Sequence, residues 1–208
     1  MAYPALAFLL TLCLAACDGG GNPAREPRQA QQDSAWEIGP VIDGKNYSLG
    51  LPLRPTTFAD GWGFAISPTA EPHYITKRAT LAGKTVMRMR YRVEGDGTIY
   101  GKGCALSSPS AVTLYFQKAN DDWRTDGNRW WATFASVPLS RAGEYSIEAP
   151  LDGAWTSVYK LTADAPEFAV AKRNADRVGF TFANCEGYGH GARATAPMQF
   201  IVTSFEVR

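Results

Sequence analysis

The chain is poor in histidine, has no surplus of either charge and contains no apolar run long enough to cross a bilayer. His73 and His190 are its only imidazoles, too few to build a histidine-based site of three or four metal ligands. Twenty-one basic residues against twenty acidic ones leave a net charge of +1, without the basic excess that a nucleic-acid binder uses to neutralise phosphates. Glycine-rich phosphate loops of the Walker or Rossmann kind are absent, as is a GxSxG nucleophile elbow; the short "GDG" and "GYGHG" have the wrong context for either. Twenty acidic residues always allow some carboxylate pair, as glycoside cleavage requires. Nothing distinguishes Glu94 with Asp96, or Glu144 with Glu148, from the polar face of a solvated sheet. We therefore expect a chain that is not an enzyme, with Tyr188 and His190 as the pair a lyase-type alternative would use.

What is present begins with "MAYPALAFLLTLCLAA". This uncharged run is too short for a membrane-spanning helix of roughly 20 residues, and its length and small-residue ending suit a secretory signal. A positive n-region is missing. Residues 17–35, "CDGGGNPAREPRQAQQDSA", then switch to glycine, proline and polar side chains that cannot bury enough surface to offset their ordering entropy. The expected organisation is a signal peptide at 1–16, a flexible tether at 17–35 and one domain at 36–208, a length that supports a single core.

Leu14-Ala15-Ala16-Cys17 resembles the cleavage box of bacterial lipoproteins. The resemblance implies that Cys17 becomes the lipid-bearing first residue of a protein on the extracytoplasmic face of the cell envelope, with Asp18 similar to an inner-membrane retention signal. The membrane is then a partner through the lipid alone. Cys13 would leave with the signal, so Cys104 and Cys185 remain. In an oxidising compartment we expect them to pair, the alternatives being two separate thiols or a reactive Cys185 beside His190.

The domain reads as short strands between turn residues. "KTVMRMRYRV" alternates Met87, Met89, Tyr91 and Val93 with Arg88, Arg90 and Arg92, the period of a half-buried strand. "AVTLYFQ", "RWWATFASV", "GEYSIEA", "WTSVYKL", "EFAVAK", "RVGFTFA" and "MQFIVTSFEV" read as further strands, those from 129 to 161 as a meander. No segment shows a clear helical stripe. The predicted class is an all-β antiparallel sandwich. "GWGFAISP", "LAGKTVMRMRYRVEGDG" and the region from "DRVGFTFANCEGYGHG" to the closing strand resemble a galactose-binding-like jelly roll, an architecture shared by many carbohydrate-binding modules.

Candidate ligand residues follow from aromatic and polar clustering. Trp123, Trp130, Trp131, Tyr159 and Tyr188 are flat surfaces that could stack on sugar rings. Trp123 sits in a loop with Arg124, Asp126 and Asn128, which supply hydrogen bonds. Our predicted site is Trp123, Trp130, Arg124, Asp126, Asn128 and Tyr188. Adjacent Trp130 and Trp131 must point to opposite faces of a strand, so at most one meets a ligand. The arginine face of 88, 90 and 92 is the surface for the alternative of a structural lipoprotein docking another envelope protein, unless Glu144 and Glu148 neutralise it. No cofactor is expected. A structural calcium ion on Asp96 or Asp122 is an open alternative.

Overall fold

The computed structural model describes residues 35–158 and 161–208; the predicted signal, Cys17 and Tyr159 lie outside them. In chain order the strands begin with β1 (Trp36–Gly39), β2 (Val41–Ile42), β3 (Lys45–Asn46), β4 (Thr56–Phe58), β5 (Gly61–Ile66) and β6 (Tyr74–Arg78). There follow β7 (Val86–Glu94), β8 (Ile99–Gly101), β9 (Ser110–Lys118), β10 (Arg129–Trp131) and β11 (Val137–Leu139). The chain closes with β12 (Gly143–Pro150), β13 (Thr156–Ser157), helix α1 (Pro166–Arg173), β14 (Ala175–Ala183), β15 (Ala192–Ala194) and β16 (Met198–Val207).

Two antiparallel sheets face each other. The larger has the order β1-β6-β14-β9-β10-β13, with β11 also on β9, and the smaller the order β12-β7-β16-β5-β4. Together they make the antiparallel, jelly-roll-like sandwich that the strand pattern predicts. The reason is visible in β7, whose Met87, Met89, Tyr91 and Val93 are buried while its arginines face outward. β14 sends Val178, Phe180 and Phe182 into the same core, and β9 sends Val112, Leu114 and Phe116. Phe200 of β16 lies at the centre, with ring centroids 4.7 Å from Tyr91, 5.2 Å from Phe182, 5.3 Å from Phe64 and 5.6 Å from Phe180.

β16 keeps this core filled through a change of phase. Its register against β7 shifts between Val202 and Ser204, a bulge that moves the inward set from Phe200 and Val202 to Phe205 and Val207. Close approach of backbones explains Gly179, where a Cβ would lie 1.9 Å from the Ile75 carbonyl oxygen. No side chain fits there.

Three local expectations are corrected. "EFAVAK" is α1, not a strand: Pro166 stands in its first turn with Glu167, Lys172 and Arg173 close it, and only Phe168 and Ala171 are buried. Those residues suit the helix dipole, but two buried positions in eight residues leave little stripe to read. "RWWATFASV" is cut by a 3-10 turn at Thr133–Ala135. The meander also fails, because β12 leaves the larger sheet and pairs with β7, where Ile147 and Ala149 enter the core.

Cys104 and Cys185 form a disulfide across 81 residues, with Cα atoms 6.1 Å apart. It ties the end of β8 to the loop after β14. Closing a loop of that length stabilises the fold by about 4 kcal/mol in the chain-entropy model. Replacing both cysteines by serine is expected to lower the unfolding free energy by about 2 to 4 kcal/mol, read as a lower urea midpoint with a steeper slope, because the unlinked unfolded chain exposes more surface.

Candidate functional site

The larger sheet is covered on both faces. Its inner face meets the core; its outer face carries Tyr74, Thr76, Thr113, Tyr115, Gln117, Arg129, Trp131 and Thr181, all buried. Register places these together: Trp131 opposes Tyr115, Tyr115 opposes Gly179, and Thr181 lies between Thr113 and Tyr74. Tyr74, Tyr115 and Trp131 form a second aromatic cluster, against which Trp123, Val158 and Tyr188 pack.

The loop from β9 to β10 covers this face, and one carboxylate organises it. The Asp121 side chain is fully buried and ion-pairs with Arg129 at 3.2 Å. It also accepts hydrogen bonds from Gln117 Nε2 at 2.8 Å, Asn128 Nδ2 at 3.1 Å and the Trp123 backbone N–H at 3.2 Å. Four donors can hold a buried charge that would otherwise be costly. They also hold Trp123 at φ 64°, a left-handed conformation costing about 1 to 2 kcal/mol for a residue with a Cβ. Its ring then sits edge-on to Tyr74 at 5.3 Å, with the Arg129 guanidinium 5.2 Å from its centre.

Beside Trp123 runs a groove of about 540 Å³ between β1, β6, β9 and β14. Its floor and walls include Glu37, Tyr74, Thr76, Gln117, Asp121 and Arg177, and Val41 and Leu53 form an apolar lip. Its carboxylates are all ion-paired, and cations outnumber them, with Lys118 also in the lining. Glu37 meets Arg177 and Arg54, and Arg78 meets Asp176 at 3.2 Å. Burial works to raise the Glu37 carboxyl, but the hydrogen bond and charge of Arg177 outweigh it and hold the group below the usual carboxylate range. The groove thus offers an aromatic wall and many hydrogen-bonding atoms, with Arg54, Arg78, Lys118 and Arg177 set against Glu37, Asp121 and Asp176.

Of the predicted residues, Trp123 lines the groove. Trp130 does not: it is fully buried in the core, donates its indole N–H to the Gly127 carbonyl at 2.9 Å and packs on Phe168 of α1. Its register opposite Phe116 fixes that inward phase, so Trp131 is the member of the pair on the outer face. Arg124 is exposed, outside the groove. Asp126 and Asn128 line a separate depression beside α1, and the Asn128 amide is engaged by Asp121. Tyr188 lies over Trp131 with ring centres 6.5 Å apart. Glu37, Gln117, Asp176 and Arg177 escaped the sequence reading because three strands far apart in the chain bring them together.

Other candidates resolve as structure. Asp122 caps its own turn by accepting the N–H groups of Arg124 and Thr125, which hold its carboxyl low. No group of three or more His, Cys, Asp or Glu side chains suited to a metal ion occurs among the described residues. Arg88 pairs with Glu148 at 2.6 Å, and Arg92 with Asp60 and with Glu94 at 2.7 Å. Two of the three arginines are therefore neutralised within the sheet. Among the described residues no helix is long and apolar enough to cross a membrane.

No family model matches the chain, and no curated protein matches it. Among solved structures, a xylan-binding module CBM15 is similar over 82% of this chain and 93% of that chain, at 13% identity and a TM-score of 0.39. At that distance the likeness carries no argument about ligands.

The loop after β14 closes the other end of the covered face. Gly189, at φ 76°, presses so near Tyr74 that a Cβ would lie 2.2 Å from the hydroxyl oxygen. His73 Nδ1 donates to the Gly189 carbonyl at 3.1 Å, and Lys102 Nζ lies 3.5 Å from His73 Nε2. Glu71 ties this corner together by pairing with Lys102 at 3.0 Å and with Arg193. Burial works to raise its carboxyl, and these two cations overcome that effect and lower it. Burial first, then the charge of Lys102, push His73 down to about 4 from an ordinary value of 6.5.

A folded-state value below the unfolded one means that the unfolded chain takes up this proton first. Stability from His73 is therefore present above pH 6.5 and lost as pH falls toward 4. The full effect is about 3 kcal/mol. Urea titrations between pH 7 and pH 5.5, where the carboxylates stay ionised, should show the first part of this decline, and His73→Gln should flatten it.

Proposed function

We propose that this domain recognises a neutral glycan of the bacterial cell envelope, bound in the groove beside Trp123. The observation that carries the reading is the composition of that groove: an aromatic wall from Trp123 and Tyr74 among amide, hydroxyl, carboxylate and guanidinium groups, most of them already engaged with one another. A sugar ring has apolar C–H faces that suit the first and hydroxyls that suit the second. An anionic ligand would find Lys118, but to reach the arginines it would have to compete with Glu37 and Asp176.

The same proposal carries the domain on a lipid at Cys17, facing the extracytoplasmic side of the membrane. Its support is the Leu14-Ala15-Ala16-Cys17 sequence and the tether composition of residues 17–35. A disulfide between Cys104 and Cys185 suits such an oxidising compartment.

The test is a glycan array probed with the full chain made in an oxidising compartment. Selective binding is expected, weakened about tenfold or more by Trp123→Ala, and changed little by salt because no net charge drives it. Silence from folded protein would transfer the reading to an envelope protein partner. Independently, growth with an alkyne-bearing fatty acid should label the wild type and leave Cys17→Ser unlabelled and released from the membrane fraction.

A further inference from the structure

The covered aromatic face next to the groove holds three polar groups with nothing to bond. Tyr115 Oη, Trp131 Nε1 and Thr181 Oγ1 are buried and lack a hydrogen-bond partner among the described residues. The Glu71, Arg88 and Arg129 atoms that share this geometry have ion-pair partners. Tyr91 Oη belongs to the smaller sheet. The remaining three sit on the adjacent strands β10, β9 and β14 of one sheet face, with Trp131 opposite Tyr115 and Thr181 one pair further along. A buried polar atom without a partner destabilises a fold, so their concentration in one patch calls for an occupant.

From this we infer that the face beneath Trp123 and Tyr188 is a second ligand subsite, continuous with the groove, which seats one pyranose ring of a neutral glycan on Tyr115 and Trp131. The inference rests on the glycan reading of the groove and deepens it. The chemistry is complementary: an indole N–H can only donate, whereas the two hydroxyls can donate or accept, and sugar hydroxyls supply both roles. Tyr115 and Trp131, with ring centres 5.4 Å apart, offer apolar surface to the C–H face. Arg129, the nearby cation, is engaged by Asp121, so no free charge selects an anion. Tyr74 and Trp123 belong both to the groove wall and to the aromatic cluster. The half-buried Tyr188 ring over Trp131 is the side chain that moves to admit the sugar, with Trp123 kept as the groove wall.

The full chain would be titrated calorimetrically with neutral β-1,4-linked hexasaccharides of glucose, xylose, mannose and N-acetylglucosamine, with melting temperatures measured in parallel. Tyr115→Phe and Thr181→Val each keep the shape and remove one hydroxyl donor. Each is expected to weaken binding about fivefold or more while leaving the melting temperature unchanged or raised, since an unmatched polar atom is gone. Thr181→Ser, which keeps the hydroxyl, should bind like the wild type, and its failure to bind overturns the assignment. Unchanged affinity in both variants, with Trp123→Ala still defective, overturns the subsite and leaves the groove reading standing. Unchanged affinity with a lowered melting temperature means that the groups serve buried water, and overturns it too. No binding of any hexasaccharide by the wild type overturns subsite and groove reading together.

Discussion

The buried Asp121 carboxylate is the constraint around which the outer face of the larger sheet is arranged. A charge removed from water is tolerated only when donors surround it, and here Gln117, Asn128, Arg129 and the Trp123 backbone do so. Gln117 and Arg129 come from paired strands, whereas Asn128 and Trp123 come from the loop that crosses them. The carboxylate therefore fixes the loop to the sheet. The left-handed backbone of Trp123 persists because releasing it would free an amide that Asp121 needs. Position of the aromatic wall and satisfaction of a buried charge are one event.

The opposite end of the same face is fixed by different chemistry. There the disulfide after β8 and β14, the close approach of Gly189 to Tyr74 and the Glu71 ion pairs hold the loop down. His73 is best neutral in this corner, because its Nδ1–H donates to Gly189 while Nε2 faces the Lys102 ammonium. Protonation would set two cations against each other. Tyr74 is pressed from both ends, by Trp123 and by Gly189, and burial raises its hydroxyl well above the ordinary tyrosine range.

Much of the sandwich was legible in the sequence because period-two alternation survives in single strands. β7 shows it plainly, and the outward arginines found the cross-strand acid Glu148 expected of them. Alternation also required that Trp130 and Trp131 diverge, but not which one enters the core. That phase is set by pairing with β9, where Trp130 opposes Phe116, a non-local fact. α1 was illegible for another reason: tertiary packing on Phe116 and Trp130 stabilises a helix whose own pattern offers only Phe168 and Ala171. The candidate site was legible only through Trp123. Its other groups arrive from β1, β6, β9 and β14, and no local spacing announces such a meeting.

A sheet face that served only as a packing surface could have been finished with apolar side chains. Tyr115 and Thr181 could be phenylalanine and valine at nearly constant volume, each change removing a buried atom whose missing hydrogen bond costs about 1 to 3 kcal/mol. The inner face of the same strands follows that rule, with Val112, Leu114, Phe116, Val178, Phe180 and Phe182. One sheet thus carries two solutions to burial, fully apolar toward the core and aromatic with unmet polar groups toward the groove. The second solution is the poorer for stability alone. A protein can retain it where a ligand completes the hydrogen bonds, because binding then gains from groups that folding left unmatched.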